Sequence, residues 1–69
     1  MRAAVVAVVV EEGRPLHWTV IQDLALRRGY VDPFVTRDLR RQVLAALADA
    51  AREGAIVRTG RGEYGPASA

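Results

Sequence analysis

The chain has 69 residues, which is enough for one domain, and its formal net charge of +2 is only mildly basic. It contains no cysteine and one histidine, so disulfide bonds and a zinc site built from cysteine and histidine are excluded. Hydrophobic residues make up 51% of the sequence, and in a chain this short an apolar core must supply most of the stability.

The first predicted element, residues 3–12, has a pattern that fits both a helix and a strand. Its β-branched residues favour a strand when they are considered alone. Gly13 suits the left-handed position after a helix, and helical elements follow, so we predict a helix and keep the strand as the alternative. This helix is apolar on two sides. Val6 and Val10 therefore need a cover beyond the core, such as a partner or a second copy of the chain.

A short edge strand is predicted at residues 14–18, because Pro15 cannot donate a hydrogen bond to a sheet. A second helix follows, with Thr19 as its N-cap, Gln22 completing a capping box and Gly29 at its end. Its predicted inward positions are Val20, Ile21, Leu24, Ala25 and Leu26. Its predicted outward positions are Gln22, Asp23, Arg27 and Arg28.

The third predicted helix covers residues 36–53, with Thr36 as its N-cap and Gly54 after its end. Tyr30 and Phe34 are expected to anchor the preceding turn to the core. A helical projection places Val35, Leu39, Val43, Ala46, Leu47 and Ala50 on the core side. The opposite side carries Arg37, Arg41, Ala48 and Arg52, with Leu44 beside them and Arg40 at the flank.

Residues 55–59 and 63–65 are predicted to form a β-hairpin, with a turn at residues 60–62. Pro66 should end the pairing, and residues 67–69 should fray. The order of elements predicts an α+β winged helix, which has three helices, a small antiparallel sheet, a helix-turn-helix and a β-wing. We assign residues 1–66 to this domain and expect the first strand to join the wing in a three-stranded sheet.

Several segments resemble the HARE-HTH winged-helix domain. They are residues 13–18 (GRPLHW), Ile21, the pairs Leu24-Ala25 and Arg28-Gly29, and residues 57–65 (VRTGRGEYG). The sequence departs from that pattern at residues 30–36, which are compact. Members of the family include the amino-terminal domain of the bacterial RNA polymerase delta subunit, chromatin regulators and modules attached to restriction-type enzymes. The resemblance implies a module linked to nucleic acids, without catalysis of its own, and some members are thought to contact protein.

The candidate DNA contacts lie at the start of the third helix and on the wing. Thr36, Arg37, Arg40 and Arg41 occupy the amino-terminal half of the helix, which recognition helices present to the major groove. Arg58 and Arg61 lie on the wing, where neighbouring glycines permit a close approach to phosphates or the minor groove.

Each of these interpretations has a plainer alternative. The helix arginines would also fit a solvated surface with local ion pairs, and the wing arginines would fit ordinary turn chemistry. All ten basic residues are arginine, which pairs in a planar fork with phosphates and base edges. A GC-rich genome would produce the same preference for arginine.

The main functional hypothesis is therefore a DNA-binding module with a regulatory or transcription-related role in a bacterium or phage. The alternative is a winged helix that docks on RNA polymerase or another protein partner, or that self-associates through its first helix.

No enzyme, cofactor or metal is predicted, because no carboxylate pair lies beside a suitable base and the sequence lacks a phosphate-binding glycine loop. His17 and Trp18 are assigned to structure. The apolar run near residue 3 is too short to cross a bilayer and is followed by Glu11 and Glu12, so we expect a cytoplasmic protein.

Overall fold

Three helices and three short strands succeed one another in the computed structural model, which describes residues 1–67. The elements are α1 (Arg2–Glu12), β1 (Leu16–His17), α2 (Trp18–Arg27), α3 (Leu39–Arg52), β2 (Ile56–Gly60) and β3 (Glu63–Pro66). This is the predicted α+β arrangement of a winged helix. The predicted fraying of Ser68 and Ala69 lies outside the described residues.

The first element is a helix, and the strand alternative is wrong. Gly13 ends it with φ 66°, and the Gly13 N–H donates to the Val9 carbonyl at 3.0 Å. Val5, Val8 and Val9 are fully buried, whereas Val10 is 58% exposed. Val6 is half-buried. The second apolar side of α1 is therefore only partly covered.

The three strands form an antiparallel sheet in the order β1-β3-β2, so the first strand joins the wing as predicted. Leu16 pairs with Tyr64, and both side chains are buried. Pro66 ends the pairing opposite Ile56. The register between β2 and β3 shifts between Arg58 and Gly60.

The core lies between the sheet and the three helices, and its contributors from α2 and α3 were predicted from helical spacing. From α3 it includes Val43, Ala46, Leu47 and Ala50. From the other elements it includes Val5, Val8, Val9, Leu16, Ile21, Ala25, Ile56 and Tyr64.

The start of α2 differs from the prediction. Its N-cap is His17 rather than Thr19, because the His17 Nδ1 accepts the Thr19 N–H at 3.3 Å and lies 2.8 Å from the Thr19 hydroxyl. The Gln22 Oε1 has no hydrogen-bond partner within residues 1–67, so the predicted capping box is absent there. Gln22, which was expected to face solvent, is half-buried, and Val20, which was expected to face the core, is exposed.

The third helix begins at Leu39 and its N-cap is Asp38, two residues later than the predicted N-cap Thr36. Asp38 has φ 50°, so no helix can continue from Thr36 through it, and the residues before it are held by Asp32. The Asp32 side chain accepts the Phe34 N–H at 2.9 Å, and its carbonyl accepts the N–H groups of Val35 and Thr36 at 3.2 and 3.0 Å. These bonds form a separate turn before the helix.

Two core assignments in this turn are consequently wrong, because Phe34 is 97% exposed and Val35 is 76% exposed. Tyr30 is held by a hydrogen bond at the surface and not, as was predicted, by burial in the core. Its hydroxyl donates to the Glu11 carboxylate of α1 at 2.6 Å.

None of the helices within residues 1–67 is long and apolar enough to cross a membrane.

Candidate nucleic-acid interface

The six predicted contact residues occupy three neighbouring parts of the fold. Arg40 and Arg41 lie in the first turn of α3, as predicted. Arg37 and Thr36 precede the helix, so their assignment to it is wrong. Thr36 is half-buried and its N–H is held by Asp32. On the wing, Arg58 lies in β2 and Arg61 lies in the turn that follows.

Trp18 links the start of α3 to the wing. The Arg40 guanidinium carbon lies 5.3 Å from the centre of the indole ring, which is a cation–π distance. The backbone N–H of Trp18 donates to the Gly62 carbonyl at 2.9 Å. A Cβ atom at Gly62 would lie 3.2 Å from the Trp18 Cδ1, so the wing turn and the indole are in close contact. Arg40 and Gly62, which follows Arg61, therefore both lie beside Trp18.

This link was not predicted, because Trp18 was assigned to packing alone. It is half-buried and does pack against the core. Its contact with Arg40 joins residues that are far apart in sequence, and no local pattern indicates it. The position of Trp18 at the first residue of α2, opposite the wing turn, becomes clear only when the sheet pairing is known.

The arginines divide into two groups according to their ion pairs. Arg2, Arg14, Arg27, Arg28 and Arg52 each pair with a carboxylate, and these pairs lie on and between the helices. Within residues 1–67, Arg37, Arg40, Arg58 and Arg61 have no carboxylate within 4.0 Å, and the Arg41 pair with Asp38 is long at 3.9 Å.

The small net charge therefore conceals an uneven distribution. Exposed ion pairs contribute little to stability, but they neutralise the local field. The positive charge that remains lies at the start of α3 and on the wing.

An open depression of about 460 Å³ lies at the start of α3, lined by Asp38, Arg40, Arg41 and Leu44. Leu44, which was expected among the exposed residues, is half-buried there. Asp38 is the N-cap of α3, has φ 50°, and makes no side-chain capping bond. Among the described residues, the first-turn N–H groups thus have no side-chain acceptor, and the helix end keeps its partial positive charge.

The wing holds its two arginines differently. The Arg58 Nε donates to the Gly60 carbonyl at 3.3 Å, so this side chain folds along the wing. The Thr59 hydroxyl donates a hydrogen bond to the Glu63 carboxylate at 2.9 Å across the hairpin. Glu63 is the acidic residue nearest in sequence to Arg61, and this bond engages its carboxylate. Arg61 is exposed at the turn.

A second charged cluster joins α1 to the end of α2. Arg28 donates to Glu11 at 2.8 Å and to Glu12 at 2.5 Å. The hydrogen bond from Arg28 lowers the pKa of Glu12 and raises the pKa of Arg28 itself. The hydrogen bond to Glu11 raises the pKa of Tyr30. These shifts follow from ion pairing at a helix contact, and the cluster shares no residue with the arginines around Trp18.

In the part of the chain that the structure describes, no group of three histidine, cysteine or acidic side chains could hold a metal ion. The lone histidine caps α2, which agrees with its structural assignment.

Comparisons with known proteins give no match: no family model, no curated protein and no solved structure matches this chain. The resemblance to the HARE-HTH domain stays a prediction based on the quoted segments.

Proposed function

We propose that this chain is a winged-helix DNA-binding module with a regulatory or transcription-related role in a bacterial cytoplasm. The observation that carries the proposal is the gathering of arginines without close carboxylate partners at the start of α3 and on the wing. A protein that neutralises phosphates needs guanidinium groups that its own carboxylates do not already occupy.

The geometry suits a groove and its backbone. The major groove admits an α-helix, and recognition helices present their amino-terminal residues to base edges. Arg40 and Arg41 lie in this part of α3, and Arg37 lies just before it. We expect Arg61, which is exposed at the wing turn, to contact a neighbouring phosphate. Trp18 holds the wing turn against the start of α3, so one duplex can meet both parts without rearrangement.

The proposal includes no catalysis and no cofactor. The only histidine caps α2 through Thr19, and the Glu11–Glu12–Arg28 cluster is satisfied by its own hydrogen bonds.

A salt titration with random duplex DNA tests the proposal. Each neutralised phosphate contributes about −0.9 to the slope of log K against log salt. If Arg37, Arg40, Arg41 and Arg61 each meet a phosphate, the slope should be about −3 to −4. The affinity should be that of non-specific binding, about 10⁻⁴ to 10⁻⁶ M at physiological salt. Arg40→Ala combined with Arg61→Ala should weaken binding and reduce the magnitude of the slope by about two.

A matched control removes the same charge elsewhere. Arg2→Ala combined with Arg27→Ala takes away two arginines that are already paired with carboxylates. This variant should keep the wild-type slope. If both double variants lose the same affinity and the same slope, binding depends only on net charge and the proposed interface is wrong.

Docking on a protein partner, or self-association through α1, is the alternative proposal. It is favoured by Val10, which is 58% exposed on a helix whose other valines are buried or half-buried. Wild-type protein that binds no duplex at low salt would move the assignment to this alternative.

A further inference from the structure

Phe34 is the most exposed large apolar residue of the described chain, at 97%, and its neighbour Val35 is 76% exposed. The backbone that carries them is ordered by hydrogen bonds. The Phe34 N–H is bound by the Asp32 carboxylate, and the Val35 and Thr36 N–H groups are bound by the Asp32 carbonyl. Pro33 restricts the same turn. The aromatic ring is therefore presented to solvent on a fixed support, which lowers the entropic cost of binding through it.

The position of this turn connects it to the proposed DNA contact. It directly precedes α3, with Arg37 three residues after Phe34. Residues at the amino-terminal end of a recognition helix approach base edges in the major groove. An exposed side chain on the preceding turn can then enter the same groove from its outer edge. The apolar group that the major groove offers there is the C5-methyl group of thymine.

The charges around Phe34 favour nucleic acid over an apolar protein surface. Arg37 and Arg40 have no carboxylate partner within residues 1–67, and Arg41 follows in the first turn of α3. These three arginines outnumber Asp32 and Asp38, which lie in the same segment. Protein interfaces also contain aromatic residues and arginine, but guanidinium groups without carboxylate partners are what the phosphates of a duplex require. In a duplex, phenylalanine is one of the side chains that make an apolar contact with the thymine methyl group.

We propose that Phe34 contacts the methyl group of thymine in the major groove and gives the module a preference for thymine at that position. This inference rests on the proposed DNA-binding function. It adds a contact that the arginines do not supply, since an apolar contact reads a base without neutralising a phosphate.

The test uses two duplexes that differ only in that methyl group. One is an alternating adenine–thymine duplex, and the other is the same duplex with deoxyuridine in place of thymine. Wild-type protein should bind the thymine duplex about fourfold more tightly, the factor expected for one buried methyl group. Phe34→Ala should bind both duplexes equally, with an unchanged salt slope. Phe34→Leu, which keeps an apolar side chain, should retain part of the preference.

Val10→Ala is the matched control, because it truncates an exposed apolar residue on α1. It should keep the wild-type preference for thymine. The inference would be overturned if Phe34→Ala retained the full preference for thymine, or if this variant lost the same affinity for both duplexes. The DNA-binding function itself would stand in either case. Wild-type protein that binds neither duplex at low salt would overturn the proposed function.

Discussion

Replacing Gly62 by alanine should disturb the contact that holds the wing against Trp18. Gly62 has φ +68°, which is unfavourable for a residue with a side chain. The new Cβ would also lie 3.2 Å from the His17 Nε2 and 3.2 Å from the Trp18 Cδ1, closer than ordinary contacts. His17 is the N-cap of α2 and Trp18 is its first residue, so the helix start fixes both rings. Either the wing turn or the indole must therefore shift.

The size of the effect follows from the backbone conformation. A left-handed residue with a side chain costs about 1–2 kcal/mol, and the two close contacts add to this. In a domain of this size 1 kcal/mol corresponds to about 4–8 °C in melting temperature. The backbone conformation alone should therefore lower the melting temperature of Gly62→Ala by about 4–16 °C.

Gly60 provides the control within the same hairpin. Its φ lies outside the left-handed region, and a Cβ there would meet only Glu63 atoms, at 3.5 and 3.8 Å. Gly60→Ala should therefore melt at or slightly above the wild-type temperature, since alanine at a compatible position restricts the unfolded chain.

Thermal unfolding followed by circular dichroism measures both variants. The emission of Trp18, the only tryptophan, reports on the contact itself. Emission should change in Gly62→Ala and stay constant in Gly60→Ala. Equal melting temperatures and unchanged emission in both variants would refute the proposed coupling between the wing turn and Trp18.

Two further predictions concern stability. Arg28→Ala should destabilise the fold at neutral pH, because it removes the hydrogen bond that lowers the pKa of Glu12. Since that pKa is depressed in the folded state, the stabilisation is present above the ordinary value of 4.5 and is lost as the pH falls through the lower folded-state value. Urea unfolding at pH 7 and at pH 3 should thus show a smaller difference between variant and wild type at the lower pH, and an equal difference would contradict this. Leu47→Ala should cost about 2–5 kcal/mol because Leu47 is fully buried, and a variant that melts like the wild type would show that the core is wrongly described.

The spacing of apolar residues predicted the elements that bury a continuous side. In α3, Val43, Ala46, Leu47 and Ala50 recur at helical spacing and are all buried. The hairpin followed from its turn chemistry. These features could be read from the sequence because they depend on local conformation and on one apolar surface.

The helix starts were harder to predict, because each start has more than one residue nearby that can accept a backbone N–H. Thr19 and Thr36 are both good N-caps by composition. His17 caps α2 instead of Thr19, because its imidazole accepts the Thr19 N–H. The Asp32 carbonyl accepts the Thr36 N–H in a separate turn that precedes α3. The candidate site was affected in the same way. Arg40 and Arg41 were placed correctly on α3, but Arg37 moved to the preceding turn, and the indole that joins Arg40 to the wing depends on contacts distant in sequence.

Strand β2 lies at the edge of the sheet, since it pairs with β3 alone among the described strands. An open edge can recruit a strand of another molecule and start aggregation. In β2 the regular pairing is interrupted by the shift between Arg58 and Gly60, and a charged residue lies at the interruption. Irregular pairing and charge are both features by which natural sheets discourage such association. Arg58 therefore contributes to solubility as well as to the proposed binding. A loss of DNA affinity in an Arg58 variant is informative only if that variant does not aggregate.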